Sequence, residues 1–255
     1  MSAATGSRQV SYTYDGSFHG LMTVAHEASK RNITPHDIIA GEPESPLLFH
    51  DYVHIATDPN KAEAVIRAIK TRLPSLAYKR VLFCYLSEAA HAATCVIDYL
   101  TLGWRCGALL DHYTTHEKVK PLHVLSEKVA REWHRMMGLV RFKLTAQGIL
   151  YAAIEPDHNV LPLLSLHFAE RMAGENWIIH DVGRNTASRY SGGEWDIFDF
   201  EVVDAIAYGD GELAYQELWN NYFTNIAIGY RKNKGLQKQF LPRRYWKHLV
   251  ECISD

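Results

Sequence analysis

The sequence lacks the short motifs that mark the commonest catalytic and cofactor sites. It has no Walker phosphate loop, no GxGxxG, no GxSxG and no radical-SAM cysteine triplet. It also has no CxxC pair, since its four cysteines stand alone at positions 84, 95, 106 and 252. These absences give no support for P-loop, dinucleotide, serine-hydrolase, iron–sulfur or zinc-ribbon chemistry. No cofactor and no disulfide framework are therefore predicted.

Signals for a membrane segment or a secretory leader are also missing. The N-terminus, "MSAATGSRQVSYTYDG", is small and polar, which is unlike a signal peptide. The most apolar stretch, "AATCVIDYLTLGWRCGALL", carries Asp98 and Arg105, which favours a buried helix over a membrane span. Unpaired cysteines predict a reduced, cytoplasmic protein. Cys84 and Cys95 lie eleven residues apart, and we expect them as small buried residues on one face of one helix.

The hydrophobic periodicity predicts an α+β protein with two regions packed together as one compact unit. Residues 1–137 are expected to be mostly helical with two strands, "QVSYTYDG" and "LFHDYVHIAT", joined by a helix and the loop "ITPHDIIAGEPESP". Residues 138–255 are expected to follow a β-β-α-β-β-α order. That order predicts an antiparallel sheet of about four strands with helices on one face.

Residues at the ends of the predicted elements supply the boundaries. Ser17 and the Asp58-Pro59 pair are typical of helix N-termini. "TAQG" predicts the turn of a hairpin, and Gly183-Arg184-Asn185 predicts the turn of a second strand pair, while "GEWDIFDF" is left unassigned. A final helix is expected to open at Pro242.

The helix after the hairpin, within "EPDHNVLPLLSLHFAERM", supplies the first candidate site. Pro162 loses no hydrogen bond only in a first turn, which predicts Asn159 as the N-cap. Glu155, Asp157 and His158 would then lie just before a helix N-terminus. Two interpretations stay open: a capping loop, or an acid–base cluster at the end of a sheet.

On the same helix, the apolar stripe predicts that Arg171 lies at an edge facing the core, with His167 beside it. A buried guanidinium needs a carboxylate or an anionic ligand. Asp181 and Glu155 are the nearby acids in the sequence. The alternatives are a structural Arg171–Asp181 pair and an anion-binding pocket.

One histidine pair has a spacing that is compatible with zinc. His112 and His116 lie four residues apart in "DHYTTH", but the glutamate of the HExxH pattern is absent and no third ligand can be named. A metal site is not predicted.

The charge of the chain is strongly segregated. Residues 229–250 hold seven Lys or Arg and no acid, whereas the whole chain has a formal net charge of −2, so the remainder carries −9. The cations alternate with aromatics in "LQKQFLPRRYWKHL". This mixture is typical of phosphate neutralisation with base stacking, although the aromatics can equally pack on the core while the cations face water. Spacing favours packing for Trp246 and Leu249.

Several long segments resemble a known protein family. They are "YDGSFHG", "REWHRMMGLVRF", "YAAIEPDHNVLPLLSLHFAERM", "WIIHDVGRNTASRY" and "LWNNYFTNIAIGYRKNKGLQKQFLPRRYWKHL". The sequence is similar to an uncharacterised bacterial family assigned to DNA metabolism or DNA repair. Its members are encoded beside a DNA-repair radical-SAM protein and are sometimes fused to a uracil-DNA-glycosylase-like domain. The glycosylase motifs of that fused domain are absent here, and the family supplies no catalytic residues.

Residues and resemblance together give three hypotheses. The first is a DNA-binding accessory of a radical-SAM partner. Its contacts with nucleic acid would come from Arg231, Asn233, Gln237, Lys238, Arg243, Arg244 and Tyr245. The second is an enzyme acting on nucleic acid or a nucleotide. Its catalytic candidates are His158, His167 and Asp181, and its phosphate-binding candidates are Arg171 and Arg184. The third is a protein–protein adaptor that docks the radical-SAM partner through its aromatic C-terminal surface.

Overall fold

The fold is α+β, as predicted, with six α-helices and two β-sheets among the described residues. The computed structural model describes residues 9–31, 35–43, 50–201, 207–209, 211–212, 216, 218 and 241–249. The chain divides into two units, Met1–Ala130 and Arg131–Asp255. None of the described helices is both long and apolar enough to cross a bilayer.

The N-terminal unit is built on a small parallel sheet with the strand order β2-β1-β3. Its elements are β1 (Gln9–Tyr14), α1 (Phe18–Arg31), β2 (Ile38–Ala40), β3 (His50–His54), α2 (Pro59–Arg72), α3 (Ala77–Leu86) and α4 (Ala92–Cys106). A 3-10 helix (Gly107–His112) follows, and α5 (Lys120–Leu139) spans the division between the two units.

Strand β2 corrects the predicted loop between the first two strands. Ile38 pairs in parallel with Tyr12 and is almost fully buried. The prolines and glycines around this three-residue strand hid it in the sequence. Its pairing is long-range, and local propensity does not report such pairing.

Two of the predicted helix starts, those at Ser17 and Asp58, are confirmed. Asp58 is the N-cap of α2 and accepts hydrogen bonds from the backbone N–H groups of Asn60 and Lys61. Ser17 Oγ accepts a hydrogen bond of 2.9 Å from Gly20 N at the start of α1. Both caps satisfy amide groups that a helix N-terminus leaves without intrahelical partners.

The two central cysteines are buried as predicted, but on different helices. Cys84 lies in α3 and Cys95 lies in α4, because α3 ends at Leu86 and the next helix begins only at Ala92. Burial raises the pKa of both thiols, so both stay protonated and behave as small apolar residues.

The C-terminal unit carries a five-stranded sheet in the order β4-β5-β6-β7-β8. Its elements are β4 (Lys143–Leu144), β5 (Leu150–Ile154), α6 (Leu161–Arg171), β6 (Trp177–Asp181), β7 (Thr186–Ser191), β8 (Glu194–Asp199) and a 3-10 helix (Arg243–His248). Both predicted turns are confirmed, and the unassigned "GEWDIFDF" segment supplies β8.

The expectation of a purely antiparallel sheet is wrong. Strands β5 and β6 run parallel, with Ile154 opposite Asp181, and α6 connects them. A parallel pair requires such a crossover, because a hairpin turn can join only antiparallel neighbours. The other strand pairs of this sheet are antiparallel.

Aromatic side chains fill the core between this sheet and α6. Trp177 is fully buried and stacks on Tyr190, with ring centroids 5.3 Å apart and an interplanar angle of 8°. Phe142 and Phe168 meet edge to face at 5.2 Å beside it. Because large aromatics bury the most apolar area per residue, this cluster holds α6 on the sheet.

We predict that Gly20→Ala destabilises the N-terminal unit. An added Cβ would lie 2.2 Å from Asp15 Oδ1 and 2.9 Å from Thr57 Oγ1. Asp15 would have to leave its hydrogen bonds with Ser17 and Thr57, which link the end of β1 to the starts of α1 and α2. Urea unfolding should show a loss of about 1–3 kcal/mol in the free energy of unfolding.

Gly138→Ala is the matched control, since Gly138 lies in α5 and an added Cβ there meets no atom within 4 Å. Its free energy of unfolding should stay level or rise by up to about 1 kcal/mol. Equal losses in the two variants would contradict the steric argument.

Candidate functional site

The parallel pair of strands in the C-terminal unit places two polar segments side by side. Because Ile154 lies opposite Asp181, the segments that follow β5 and β6 leave the same edge of the sheet. We call residues 155–158 and 181–184 the polar edge. The carboxyl ends of parallel strands are a common location for binding sites.

Glu132 of α5 holds the first of these segments. Its side chain is 4% exposed, and its two carboxylate oxygens accept hydrogen bonds of 2.8 Å from the backbone N–H groups of Asp157 and His158. The hydroxyl of Tyr245 donates a further hydrogen bond to Glu132 Oε1. One buried carboxylate therefore ties the loop to both α5 and the C-terminal segment.

Arg184 joins the two segments of the polar edge to each other. Its Nη1 donates to Asp181 Oδ2 at 2.9 Å and to the carbonyl of Pro156 at 3.1 Å, and its Nη2 donates to the carbonyl of Asp157 at 3.0 Å. These bonds make Arg184 a clamp between the β5–α6 loop and the β6–β7 turn. A planar guanidinium suits this role because its donors have a fixed geometry.

Asp181 is the most deeply buried acid of the polar edge. It is fully buried, and this burial raises the pKa of its carboxyl group despite the attraction of Arg184. Its Oδ1 accepts no hydrogen bond of standard geometry from the described residues. A carboxyl group in this position has a pKa closer to neutrality than an exposed aspartate, which suits proton transfer.

His158 adds an imidazole to the same edge. Its backbone N–H is fixed by Glu132, while its half-buried ring has no hydrogen-bond partner at Nδ1 among the described residues. The loop backbone is thus held in place, and His158 Nδ1 is a buried nitrogen without a hydrogen-bond partner among the described residues.

The C-terminal 3-10 helix lies on the polar edge. Lys247 Nζ forms an ion pair with Glu155 Oε2, and His248 Nε2 lies 3.6 Å from the same oxygen. Tyr245 and Leu249 are 2% and 1% exposed. Of the two interpretations left open for this segment, the burial of Tyr245 and Leu249 agrees with packing against the protein, and the buried ring of Tyr245 has no open face on which a base can stack.

A second polar pair lies on the sheet itself. The hydroxyl of Tyr151 and His180 Nδ1 are 2.7 Å apart, and the ring of His180 meets Phe200 edge to face at 5.0 Å. Burial lowers the pKa of His180 and raises the pKa of Tyr151 to about 12. Both groups are therefore held neutral around pH 7.

Two of the predicted site residues do not belong to the polar edge. Arg171 is exposed, and Asp181 pairs with Arg184, so the expectation of a core-facing Arg171 and an Arg171–Asp181 pair is wrong. Arg171 ends α6, ten residues and about 15 Å along the helix from its start beside the polar edge. His167 lies on the same helix, with its ring packed against Phe168.

The start of α6 also differs by one residue from the prediction. Val160 is the N-cap, not Asn159, and Pro162 lies in the first turn as its chemistry requires. This helix has no side-chain cap, since the side chain of Val160 contains no oxygen that could accept a hydrogen bond.

The remaining predicted contacts fall beyond what the structure describes. Arg231, Asn233, Gln237 and Lys238 lie outside the described residues, as do the side chains of Arg243 and Arg244.

The histidine pair of the sequence is not placed on one helix. His112 ends the 3-10 helix, and His116 lies in the following turn, where its Nδ1 accepts a hydrogen bond from Lys118 N. Within the described ranges, no group of three or more histidine, cysteine or acidic side chains could hold a metal ion.

Sequence reasoning missed Glu132 as the support of the site, although a signal was present. Leu125, Val129 and Met136 are buried on one side of α5, and their spacing places Glu132 in the same stripe. An acid within an apolar stripe must be paired or hydrogen-bonded, because burying it alone costs too much free energy.

The chain belongs to an uncharacterised family, the domain of unknown function DUF4130. The family matches residues 90–251, which is more than half of the chain and includes Glu132, the polar edge and the C-terminal 3-10 helix. No curated protein matches the chain.

We predict that Glu132→Gln loosens the polar edge. One carboxylate oxygen would become an NH₂ group facing an N–H or O–H donor, which leaves a buried donor unsatisfied. The free energy of unfolding should fall by about 1–3 kcal/mol. Hydrogen exchange at the amides of Asp157 and His158 should also accelerate.

Glu170→Gln on the exposed face of α6 is the matched control and should change neither measurement. Tyr245→Phe should give a smaller loss, about 0.5–1.5 kcal/mol, because it removes one donor and leaves the two amide bonds. Unchanged exchange at Asp157 and His158 in Glu132→Gln would refute the supporting role of Glu132.

Proposed function

We propose that this protein binds nucleic acid through its C-terminal segment and acts in DNA metabolism beside a radical-SAM partner. The observation that carries the proposal is the docking of the 3-10 helix at 243–248 on the polar edge. Tyr245 reaches Glu132, and Lys247 pairs with Glu155. The described end of the cation-rich segment, residues 241–249, thereby lies beside the loop at 155–158.

The charge distribution supports a polyanionic ligand. The seven cations between residues 229 and 250 stand against a net charge of −9 in the rest of the chain. Such a cationic segment gains affinity for nucleic acid by releasing counterions from phosphates. In this proposal Arg231, Lys238, Arg243 and Arg244 contact phosphates, and Asn233 and Gln237 add polar contacts.

Trp246 replaces Tyr245 as the aromatic candidate for stacking. Its ring is half-buried, and its Nε1 donates to the carbonyl of Leu241 at 3.0 Å, which fixes the indole orientation. An oriented and partly open indole is a platform on which a base can stack at low entropic cost.

We predict that Arg243→Glu/Arg244→Glu weakens DNA binding. Fluorescence anisotropy with labelled single- and double-stranded oligonucleotides should show wild-type affinity falling steeply as salt rises, and the double variant should bind at least about tenfold more weakly at low salt. The slope of log binding constant against log salt concentration should be smaller in magnitude by about two, one for each lost phosphate contact.

The matched control is Arg67→Glu/Lys128→Glu, a double charge reversal at exposed cations of α2 and α5 in the N-terminal unit. It should bind DNA like the wild type. Absence of binding to either form of DNA at low salt would contradict the proposal. DNA-independent co-purification with the radical-SAM partner would then favour the adaptor hypothesis.

An enzymatic role at the same edge is the second candidate, because His158 and Asp181 have the character of proton-transfer groups. His158 Nδ1 has no hydrogen-bond partner among the described residues, and burial raises the pKa of Asp181. A carboxyl group whose pKa is raised by burial, such as that of Asp181, is typical of functional sites. In this role His158 exchanges a proton with the substrate, and Arg184 keeps the loop in place.

For this candidate we predict turnover that depends on His158. Nucleic acids and nucleotides incubated with the wild type should give a new product by mass spectrometry, and His158→Ala should lower the rate by about 10²–10⁴-fold without weakening DNA binding. His91→Ala, at an exposed histidine of the N-terminal unit, should keep full activity. Equal rates in both variants would exclude His158 from catalysis.

A further inference from the structure

A groove in the N-terminal unit is unrelated to the polar edge. It lies between α1, α2 and α4 and has a volume of about 630 Å³. Pockets for small ligands have volumes of about 300–1,000 Å³, so the groove could hold a ligand of nucleotide size.

The described lining of the groove is basic. Lys30, Arg72 and Arg105 line it together with His26, and none of the described residues that line it is an aspartate or glutamate. No ion pair links Lys30, Arg72 or Arg105 to any acid among the described residues. The three side chains thus present positive charge to the groove without an internal counter-charge.

The acids of the surrounding helices are engaged elsewhere. Helices α1, α2 and α4 carry one acid each, and each acid lies near a cation that does not line the groove, although Glu27 also lies 3.5 Å from Nδ1 of the lining residue His26. The pairs are Glu27 with Lys61 at 3.0 Å, Glu63 with His19 at 3.6 Å and Asp98 with Lys118 at 2.8 Å. None of these pairs neutralises Lys30, Arg72 or Arg105, so the groove keeps an excess of positive charge.

A structural explanation accounts for only part of this pattern. Lys30, Arg72 and Arg105 lie in the last turns of α1, α2 and α4, where a cation interacts favourably with the helix dipole. That explains a cation at each helix end separately. It does not explain why the three helix ends meet around one groove of ligand size.

The rest of the lining is apolar and contains one indole. Trp104 is half-buried in the groove, and Ala64, Val65 and Ala68 of α2 contribute aliphatic surface. A planar ring can stack on the indole, and a nearby guanidinium or ammonium can bind an anion. A ligand that combines a flat ring with negative oxygens matches both features.

We propose that this groove binds a nucleoside phosphate, with the phosphate at Lys30, Arg72 and Arg105 and the base at Trp104. The proposal is independent of DNA binding by the C-terminal segment, because all the lining residues belong to the N-terminal unit. An adjoining pocket shares Thr101 and Arg105 and contains Glu117. That pocket is also lined by Lys118, so its charge is mixed, whereas the described lining of the larger groove is basic without an acid.

Isothermal titration calorimetry of the full chain with ATP, adenosine and pyrophosphate tests the proposal. ATP should bind at least about tenfold more tightly than adenosine, because charge-assisted hydrogen bonds carry the phosphate contacts. Arg72→Gln/Arg105→Gln should weaken ATP and pyrophosphate binding by about tenfold or more. Trp104→Ala should weaken ATP and leave pyrophosphate unchanged.

Arg67→Gln/Lys128→Gln is the matched control and should bind all three probes like the wild type. Circular dichroism should first establish that each variant is folded, and neutral Gln replacements avoid placing acids at helix C-termini. Equal ATP affinity in the two double variants, equal affinity of wild type for ATP and adenosine, or absence of ATP binding at millimolar concentration would each overturn the proposal.

Competition distinguishes the two sources of such a ligand. A 5′-phosphorylated thymidine hexamer that displaces ATP, when the 5′-hydroxyl hexamer does not, would assign the groove to the phosphorylated end of a strand. Failure of both hexamers to displace ATP would assign it to a free nucleotide. Arg243→Glu/Arg244→Glu should keep ATP affinity in either case, which separates this test from that of DNA binding.

Discussion

The buried carboxylate of Glu132 is the interaction on which the candidate site depends. A carboxylate without partners in the interior would be too costly to retain, and here its oxygens accept bonds from two loop amides and the hydroxyl of Tyr245. The same bonds fix the backbone of His158 and seat the C-terminal segment. The geometry of the polar edge thus follows from the need to satisfy one acid within an apolar stripe of α5.

Local signals in the sequence predicted the element boundaries well, because caps and turns depend on a few adjacent residues. Ser17 and Asp58 cap helices as expected, and Thr145 to Gly148 form the hairpin turn. Strand pairing was harder to predict, since it depends on distant residues. The α6 crossover between β5 and β6 was itself a signal for parallel pairing, because two strands separated by a helix cannot form a hairpin.

The location of the candidate site could be predicted from the sequence, but the partner of its buried acid, Asp181, could not. Glu155 and His158 lie at the end of a sheet, as their position before a helix indicated. The helical wheel placed Arg171 beside the core, but Arg171 is the last residue of α6, where the packing that covers the stripe has ended. Arg184, three residues after Asp181 in a tight turn, reaches the buried carboxylate at lower entropic cost.

The free energies expected for its individual contacts show what holds the C-terminal segment in place. The ion pair between Lys247 and Glu155 joins side chains that are 57% and 38% exposed, and such pairs contribute about 0–1 kcal/mol. Burial of Tyr245 and Leu249 contributes about 1.5–3 kcal/mol each. Apolar contacts therefore dock this segment, and its positive charges are not required for docking. A segment anchored by its aromatic and aliphatic side chains can use its cations for a ligand without losing its place on the polar edge.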